Sequence, residues 1–287
     1  MRFVALGVRG STPAPGREFV RYGGHTSCLA VYADGDRVPS LVLDAGTGLR
    51  ELPRLLAGAP YRGDIVLSHL HWDHIQGLPF CPALDHPDSR VRLFVPFAAA
   101  DDPGAVFVRA MSPPYFPIGP DGLLGSWQFE PLRPGPVRAG VTVAPVPHKG
   151  GDAYAIRVEL DEGVLVYLPD HALHAATDPV RLRAAIDFVQ GADVLVHDAQ
   201  YPAAEADIAQ AYGHATIEAV AAFADRAEVR TLVLTHHAPG RTDADLDSFA
   251  ARYAFTPHGR GIEFARQGQT YVVRADELAT RPRAGGC

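Results

Sequence analysis

Three histidines and one aspartate cluster in the stretch SHLHWDHIQG, which spans residues 68–77. The residues that could bind a metal are His69, His71, Asp73 and His74. Imidazole nitrogens and carboxylate oxygens suit Zn²⁺ and related ions, with Zn–N bonds of about 2.0–2.1 Å. An irregular turn with the spacing H-x-H-x-D-H can direct alternate side chains toward two neighbouring positions. The stretch therefore predicts a site for two ions, and a histidine-rich surface turn is the alternative.

Further residues of the same types follow predicted strands along the chain. His148, Asp170, Asp198 and His236 each come at the end of an apolar, β-type run. In α/β proteins, ligand sites gather beyond the carboxyl ends of strands, so residues that are distant in sequence can converge. We therefore expect one shared site, in which His237 is the alternative to His236.

The elements that must position these residues are those of an α/β protein. Short β-type runs recur throughout, and helical patterns separate them mainly in the second half. Asp178 and Pro179 predict the N-cap and first position of a helix, and Thr242 with Asp245 predicts a second helix start. Other helices are predicted over residues 49–56, 203–211, 217–227 and 243–253. This order suggests sheets sandwiched between helices.

Length and composition predict a single domain over residues 1–275, followed by a flexible tail at 276–287. At about residues 96–136 the pattern breaks down into a segment rich in Pro, Gly and aromatic residues. Long connections of this kind usually carry function or are mobile. The aromatic residues that could form a lid or pocket wall are Tyr115, Phe116 and Trp127. A dimer contact or a flap without a substrate role is the alternative.

The charge and cysteine content limit the class of protein. The formal net charge is -7, and Lys149 is the only lysine, which disfavours a strong nucleic-acid binder. No apolar run of about 18 residues is present to span a membrane, and the start of the chain does not show the long apolar core and cleavage site expected of a signal peptide. Cys28, Cys81 and Cys287 are scattered, which suits a reducing compartment. We expect a cytoplasmic protein without a membrane partner.

Several motifs together carry a resemblance to a known family. SHLHWDHIQGLPF, YGGHTSC, LDAGTGLR, HDAQYP and YGHAT resemble sequences of the metallo-β-lactamase-fold hydrolases. Within that superfamily, the chain looks most similar to the branch that includes ribonuclease Z and the cyclic-phosphate phosphodiesterases. The resemblance covers most of the chain. It implies a four-layer αββα sandwich and a pair of divalent metal ions.

The resemblance also implies a ligand set. One ion would take His69, His71 and His148, the other would take Asp73, His74 and His236, and Asp170 would bridge both. We prefer His236 to His237 because the family pattern places the ligand directly after the threonine of the strand. Zn²⁺ is the expected ion, and Mn²⁺ and Fe²⁺ accept the same ligands.

Catalytic roles follow from the same resemblance. Asp73 and Asp170 would orient a metal-bound hydroxide, and His214 would protonate the leaving group. His197 and Asp198 resemble the His–acid pair of the branch, although Asp stands where ribonuclease Z usually has Glu, which leaves their role open.

The remaining residues of interest receive more modest expectations. Asp44 should lie beside the metal-binding turn, where its carboxylate could accept a ring N–H from a ligand histidine. Hydrogen bonding to the local backbone is an equal alternative for Asp44. The histidines without an expected role at the site are His25, His86, His171, His174 and His258.

The predicted function is that of a dinuclear metal-dependent phosphodiesterase with a small substrate, cyclic phosphodiesters included. The chain shows no Lys-rich insertion of the kind that would grip tRNA, so no large nucleic-acid partner is expected. An acyl hydrolase for lactones, lactams or thioesters is the alternative on the same scaffold. An iron-dependent oxidoreductase is less favoured, because di-iron relatives typically carry a carboxylate at the position of His71. Family habit alone suggests a homodimer.

Overall fold

Two mixed β-sheets form the centre of the protein. The structure, a computed structural model, describes residues 1–96, 102–160, 163–173 and 178–274. Strands of the first sheet are β1 (Arg2–Gly7), β2 (Cys28–Tyr32), β3 (Leu41–Leu43), β4 (Arg62–Val66), β5 (Arg90–Pro96), β6 (Ser126–Leu132) and β14 (Thr270–Val272). Their order is β14-β1-β2-β3-β4-β5-β6, and the pairs from β3 to β6 are parallel.

The second sheet has the same number of strands in the described residues and a similar division. Its strands are β7 (Gly135–Arg138), β8 (Val141–His148), β9 (Gly151–Leu160), β10 (Gly163–Leu168), β11 (Val194–Asp198), β12 (Thr231–Thr235) and β13 (Gly261–Phe264). Their order is β13-β12-β11-β10-β9-β8-β7, with parallel pairs from β10 to β13. Parallel strands buried on both faces read as nearly continuous apolar runs, which is why these strands were readable in the sequence.

Helices cover the outer face of each sheet. They are α1 (Leu52–Leu55), α2 (Trp72–Ile75), α3 (Pro103–Ala110), α4 (Pro179–Val189), α5 (Ala206–Tyr212), α6 (Ile217–Arg226) and α7 (Asp243–Arg252). One buried cluster joins the facing sides of both sheets, and two others join the outer sides to the helices. Burying these apolar faces against each other is the main favourable term in folding. The arrangement confirms the predicted four-layer αββα sandwich.

The helix starts agree with the sequence signals. Asp178 caps α4 by accepting a hydrogen bond from the backbone N–H of Val180 at 2.9 Å. Thr242 and Asp245 form the predicted capping box at the start of α7. The predicted helices at 49–56 and 203–211 each begin with a 3-10 turn before the α-helical part.

Part of the segment expected to be irregular is regular. It contains α3, whose N-cap Asp102 accepts a hydrogen bond from the Gly104 N–H at 3.0 Å, and the edge strand β6. The Asp-Pro signal before α3 is the same one that predicted α4, so this helix could have been found. Strand β6 was hidden by Pro131 and by its weak alternation, both of which an edge strand tolerates.

Some predictions fall outside the described residues. These are the flexible tail at 276–287 with Cys287, and the role of His174. Among the described helices, none has the length and apolar character needed to cross a membrane.

Candidate metal centre

The short helix α2 explains how one turn presents four candidate ligands. Strand β4 ends at Val66, and His71 is the N-cap of α2 with an extended backbone (φ -64°, ψ 152°). Asp73 and His74 lie in the helical turn that follows. The change from extended to helical backbone within six residues sends neighbouring side chains in different directions, as the spacing predicted.

The second sheet contributes one candidate at the end of each of three strands. His148 is the last residue of β8, Asp170 follows β10 by two residues, and His236 directly follows β12. His236 has a left-handed backbone (φ 59°). A Cβ atom at Gly10 would lie 2.2 Å from Nδ1 of His236, so glycine is required where this ring packs.

The candidate atoms form two clusters that share Asp170. In the first cluster, Nε2 of His148 lies 3.2 Å from Nδ1 of His71 and 3.2 Å from Oδ2 of Asp170. Nε2 of His69 lies 3.5 Å from the same Asp170 oxygen. Donor atoms of a tetrahedral zinc site with bonds of about 2.0–2.1 Å would be about 3.3 Å apart. The first cluster therefore has the spacing of a metal site.

The second cluster uses the other oxygen of Asp170. Its Oδ1 lies 3.0 Å from Nε2 of His236 and 3.4 Å from Nε2 of His74. Oδ2 of Asp73 lies 3.1 Å from Nε2 of His236 and 3.3 Å from Nε2 of His74. Each Asp170 oxygen thus faces one cluster, which is the geometry of a bridging carboxylate.

Several of these atoms are buried without a hydrogen-bond partner in the described part of the chain. They are Nε2 of His69, Nε2 of His74 and Oδ1 of Asp170. Leaving a buried polar atom unpaired is costly, and coordination to a cation would satisfy all three. The donor set therefore fits two divalent ions.

The ionisation of the first cluster agrees with metal binding. Burial lowers the pKa of His69 well below its ordinary value, and it also lowers the pKa values of His71 and His148. Only a neutral imidazole has a free nitrogen lone pair for a metal.

The second cluster is dominated by its carboxylates. Burial acts to lower the pKa of His74, but Asp73, Asp44 and Asp170 outweigh it and raise that pKa well above its ordinary value. Burial acts to raise the pKa of Asp170, but the surrounding histidines outweigh it and lower that pKa. The site thus holds its carboxylates ionised.

Asp44 supports two candidate ligands from behind. Its Oδ2 accepts a hydrogen bond from Nδ1 of His74 at 2.7 Å, which confirms the predicted contact. The same oxygen accepts one from the hydroxyl of Ser68 at 2.9 Å, and Ser68 Oγ lies 3.1 Å from Nδ1 of His69. Because the Ser68 hydroxyl donates to Asp44, it accepts from the His69 ring. These bonds fix both tautomers so that Nε2 points into the site.

Sequence reasoning missed two other supporting groups. The Tyr167 hydroxyl donates to Oδ2 of Asp44 at 3.0 Å, and burial with the Asp44 charge raises the pKa of Tyr167 well above its ordinary value. The backbone N–H of Ser11 donates to Oδ2 of Asp73 at 2.7 Å. Strand β10 is buried along its whole length, so its sequence does not show which face Tyr167 takes, and no local signal points to Ser11.

His237 lies outside the site. Its Nε2 donates to the carbonyl of Ala265 at 2.9 Å, and its ring stacks against Phe264. Burial lowers the pKa of His237 to about 3. Of the two adjacent histidines, only His236 presents its ring to Asp73 and Asp170.

His214 and Asp198 form a pair at the edge of the clusters. Nδ1 of His214 donates to Oδ2 of Asp198 at 2.9 Å, and the His214 ring lies 4.9 Å from that of His236. Burial acts to lower the pKa of His214, but Asp198 outweighs it and raises that pKa to about 9. Asp198 thus contacts His214, although its side chain is shorter than the Glu that ribonuclease Z usually has at this position.

His197 turns the other way. Its Nδ1 donates to the backbone carbonyl of Asp198 at 2.6 Å, and its Nε2 lies 3.1 Å from Nδ1 of His171. Both rings pack on Phe223 under α6. Neither His171 nor His197 faces the metal clusters, and His25 instead lies 3.3 Å from the Thr47 hydroxyl. His86 and His258 have aspartate neighbours away from the site.

An open cleft of about 570 Å³, which we call the metal cleft, exposes the clusters. Its wall includes Trp72 on one side, and Lys149, Tyr212 and His214. Lys149 is anchored there because its Nζ donates to the carbonyl of Ala211 at 2.7 Å. The cleft has the size of a small-molecule site, for which roughly 300–1,000 Å³ is usual.

Trp127, one of the aromatic residues considered for a lid or pocket wall, packs against the core of the first sheet. Trp127 lies in β6, where its ring stacks on Phe129 at 6.1 Å and its Nε1–H donates to the carbonyl of Leu124. Alternation along the strand places both rings on the same face, against the outer core of the first sheet. Tyr115 and Phe116 do line a pocket, which adjoins the metal cleft.

Comparisons with known proteins agree with this architecture. Residues 40–237 match the family described as "Beta-lactamase superfamily domain". The ribonuclease Z of Natronomonas pharaonis is 25% identical, with 90% of this chain and 95% of the relative covered. The ribonuclease Z of Haloferax volcanii is 27% identical, with 99% and 96% covered.

Solved structures show the same fold. A diphosphatase of the PhnP family has a TM-score of 0.66 at 18% identity, with 96% of this chain and 99% of that chain covered. The short form of human tRNase Z has a TM-score of 0.64 at 16% identity, with 96% and 100% covered. The predicted resemblance is confirmed, and the chain belongs to the beta-lactamase superfamily of metal-dependent hydrolases.

Proposed function

We propose that this protein is a dinuclear metal-dependent phosphodiesterase that hydrolyses a small phosphodiester. The observation that carries the proposal is the position of Asp170, whose two oxygens face separate clusters of candidate donors. His69, His71 and His148 would hold one ion, and Asp73, His74 and His236 the other. Zn²⁺ is the ion that we favour, since imidazole and carboxylate donors at this spacing suit it.

When bound, two such ions would lower the pKa of a water molecule and offset negative charge on phosphoryl oxygens. Asp44 keeps the rings of His74 and His69 in orientation, the latter through Ser68. Ser11 keeps the carboxylate of Asp73 in place through its backbone N–H. These supports leave the donor geometry preorganised, so little reorganisation is needed during the reaction.

His214 is proposed to protonate the leaving group. Its Nδ1–H is committed to Asp198, so a proton on Nε2 is available to the oxygen of the departing alcohol. The proton moves from Nε2 to that oxygen as the P–O bond breaks. Asp198 stabilises the charged ring before transfer and holds its orientation, as an acid–base pair requires.

An RNA is the second candidate substrate. The curated relatives bear the name ribonuclease Z, which weakens the expectation that no large nucleic acid is bound. The formal charge of -7 and the single lysine favour the small substrate. Both candidates are phosphodiesters and would use the same residues.

One purified preparation can test the proposal. Metal content by mass spectrometry should give about two divalent ions per chain, and the same sample should hydrolyse bis-p-nitrophenyl phosphate or a cyclic nucleotide. A tRNA precursor, a lactone and a thioester complete the panel. Turnover confined to the acyl substrates would refute the phosphodiesterase, and turnover confined to the tRNA precursor would favour the second candidate.

A further inference from the structure

A second pocket, of about 490 Å³, opens beside the metal cleft. We name it the aromatic pocket. Its lining includes Trp72, Phe80, Phe107, Met111, Tyr115 and Phe116. Trp72 also lines the metal cleft, so the two cavities adjoin at this residue.

The rim and the floor of the aromatic pocket differ. Phe107 and Met111 are buried and form an apolar floor. On the rim, Trp72, Phe80 and Tyr115 are 78%, 61% and 84% exposed. Large apolar side chains gathered at the surface commonly mark a binding site. Because ring faces surround the cavity, a planar aromatic occupant would gain stacking or edge-to-face contacts with them.

The position of Trp72 indicates that the occupant of the aromatic pocket is part of the molecule bound at the donor clusters. Trp72 lies between His71 and Asp73, which belong to the two donor clusters. A phosphoryl group at the clusters would therefore have one of its ester substituents beside the indole ring. Apart from Arg109, the lining is uncharged and mostly apolar, which suits an aromatic substituent.

We infer that the aromatic pocket binds an aromatic ester substituent, such as an aryl group or a nucleobase, of the phosphodiester hydrolysed at the metal cleft. The inference rests on the proposed function and narrows its substrate class. Trp72, Phe80 and Phe116 are then residues that determine specificity, and the Phe80 and Phe116 rings, edge to face with centroids 5.7 Å apart at 83°, form the far wall.

Binding of unreactive phosphonates tests the pocket without requiring turnover. The metal-loaded protein should bind phenylphosphonate at least about 10-fold more tightly than methylphosphonate, measured by calorimetry, as expected for a buried apolar group. The variant Phe80→Ala should reduce this preference. The matched control Phe255→Ala removes another exposed ring, 69% exposed and outside the pocket, and should retain it.

Fluorescence locates the bound ring. The chain has two tryptophans, so the variant Trp127→Phe reports on Trp72 alone. 4-Nitrophenylphosphonate should quench the Trp72 fluorescence, and the quenching should saturate as its concentration rises. When Phe80→Ala is combined with Trp127→Phe, the quenching should no longer saturate. Thermal unfolding of each variant verifies that it is folded.

The outcomes separate this inference from the proposed function. Equal affinities for the two phosphonates, or a phenyl preference unchanged in Phe80→Ala, would overturn the aromatic pocket even if phosphodiesters are hydrolysed. If the phosphonate does not quench the Trp72 fluorescence because a second copy of the chain covers this residue, the inference is also overturned. A phenyl preference without phosphodiester turnover would support the pocket and count against the proposed reaction.

Discussion

At the metal centre the rings of His69, His74 and His148 are each held by a further group, whereas the rim of the adjacent aromatic pocket consists of exposed side chains. His74 is held by Asp44, and His148 donates from Nδ1 to the Gly213 carbonyl at 2.9 Å. Trp72 and Phe80, in contrast, are largely exposed. The difference indicates that the chemistry is built on a rigid, buried network, while substrate selection lies on side chains that can change at little cost in stability.

The largest effect should follow from changing the residue shared by both clusters. Asp170→Asn removes a negative charge that faces all the candidate donors, and we expect kcat/KM to fall on the order of 10³-fold. Metal content should fall as well. The control Asp187→Asn alters a half-exposed aspartate paired with Arg183 on α4. Retention of two ions and full turnover by Asp170→Asn would contradict the shared site.

His214→Ala should have a smaller effect that depends on the leaving group. We expect a loss of about 10²-fold on a diester with a poor leaving group, the lower end of general acid catalysis, and a smaller loss on a p-nitrophenyl ester. Steady-state kinetics on the two substrates measures the difference. His86→Ala is the matched control at an exposed site. Equal losses on both substrates, or loss of metal, would show that His214 does not act as the proton donor.

Asp44→Asn tests the support behind the donors. The amide has only one acceptor oxygen and cannot accept from the Ser68 N–H at one terminal atom and from His74 at the other, as the carboxylate does, so we expect metal affinity to weaken by about 10–100-fold. A titration with a competing chelator measures this affinity. Asp34→Asn, at an exposed turn, should leave it unchanged. An unchanged affinity in Asp44→Asn would mean that the ring orientations are set elsewhere.

The smallest predicted effects come from removing one tyrosine hydroxyl in the metal centre and one at the rim of the aromatic pocket. Tyr167→Phe deletes a buried hydroxyl that donates to a carboxylate, so the free energy of unfolding should drop by about 1.5–3 kcal/mol. Tyr115→Phe deletes the hydroxyl of a ring at the pocket rim, and the change should stay within about 0.5 kcal/mol. Urea denaturation of both variants measures the contrast, and similar losses would remove it.

Some of the site was readable because its signals are local. The H-x-H-x-D-H spacing depends on six consecutive residues, and apolar runs mark the strands before His148, Asp170 and His236. The structure brings the donor atoms of these residues together within 4.8 Å in each cluster. Asp44 was found for the same reason, since it follows an apolar strand.

Other parts of the site depend on contacts between distant segments. Tyr167 and Asp44 are separated by 123 residues, and Ser11 and Asp73 by 62. The aromatic pocket joins the α2 region to α3, and composition alone could not tell that Tyr115 and Phe116 line it while Trp127 packs on Phe129. No local pattern records which face of which strand will meet such a partner.

By itself, the sequence determined the kinds of donor, their place at strand ends and the family. Only the tertiary structure decided that His236 and not His237 faces the clusters, that Asp170 turns one oxygen to each cluster, and that Trp72 lines two adjoining cavities. The physical reason is that strand runs and turns are encoded over a few neighbouring residues. The packing of the two sheets is set instead by burial of apolar faces across the whole chain. A register shift of one residue along a strand turns each side chain to the opposite face of the sheet.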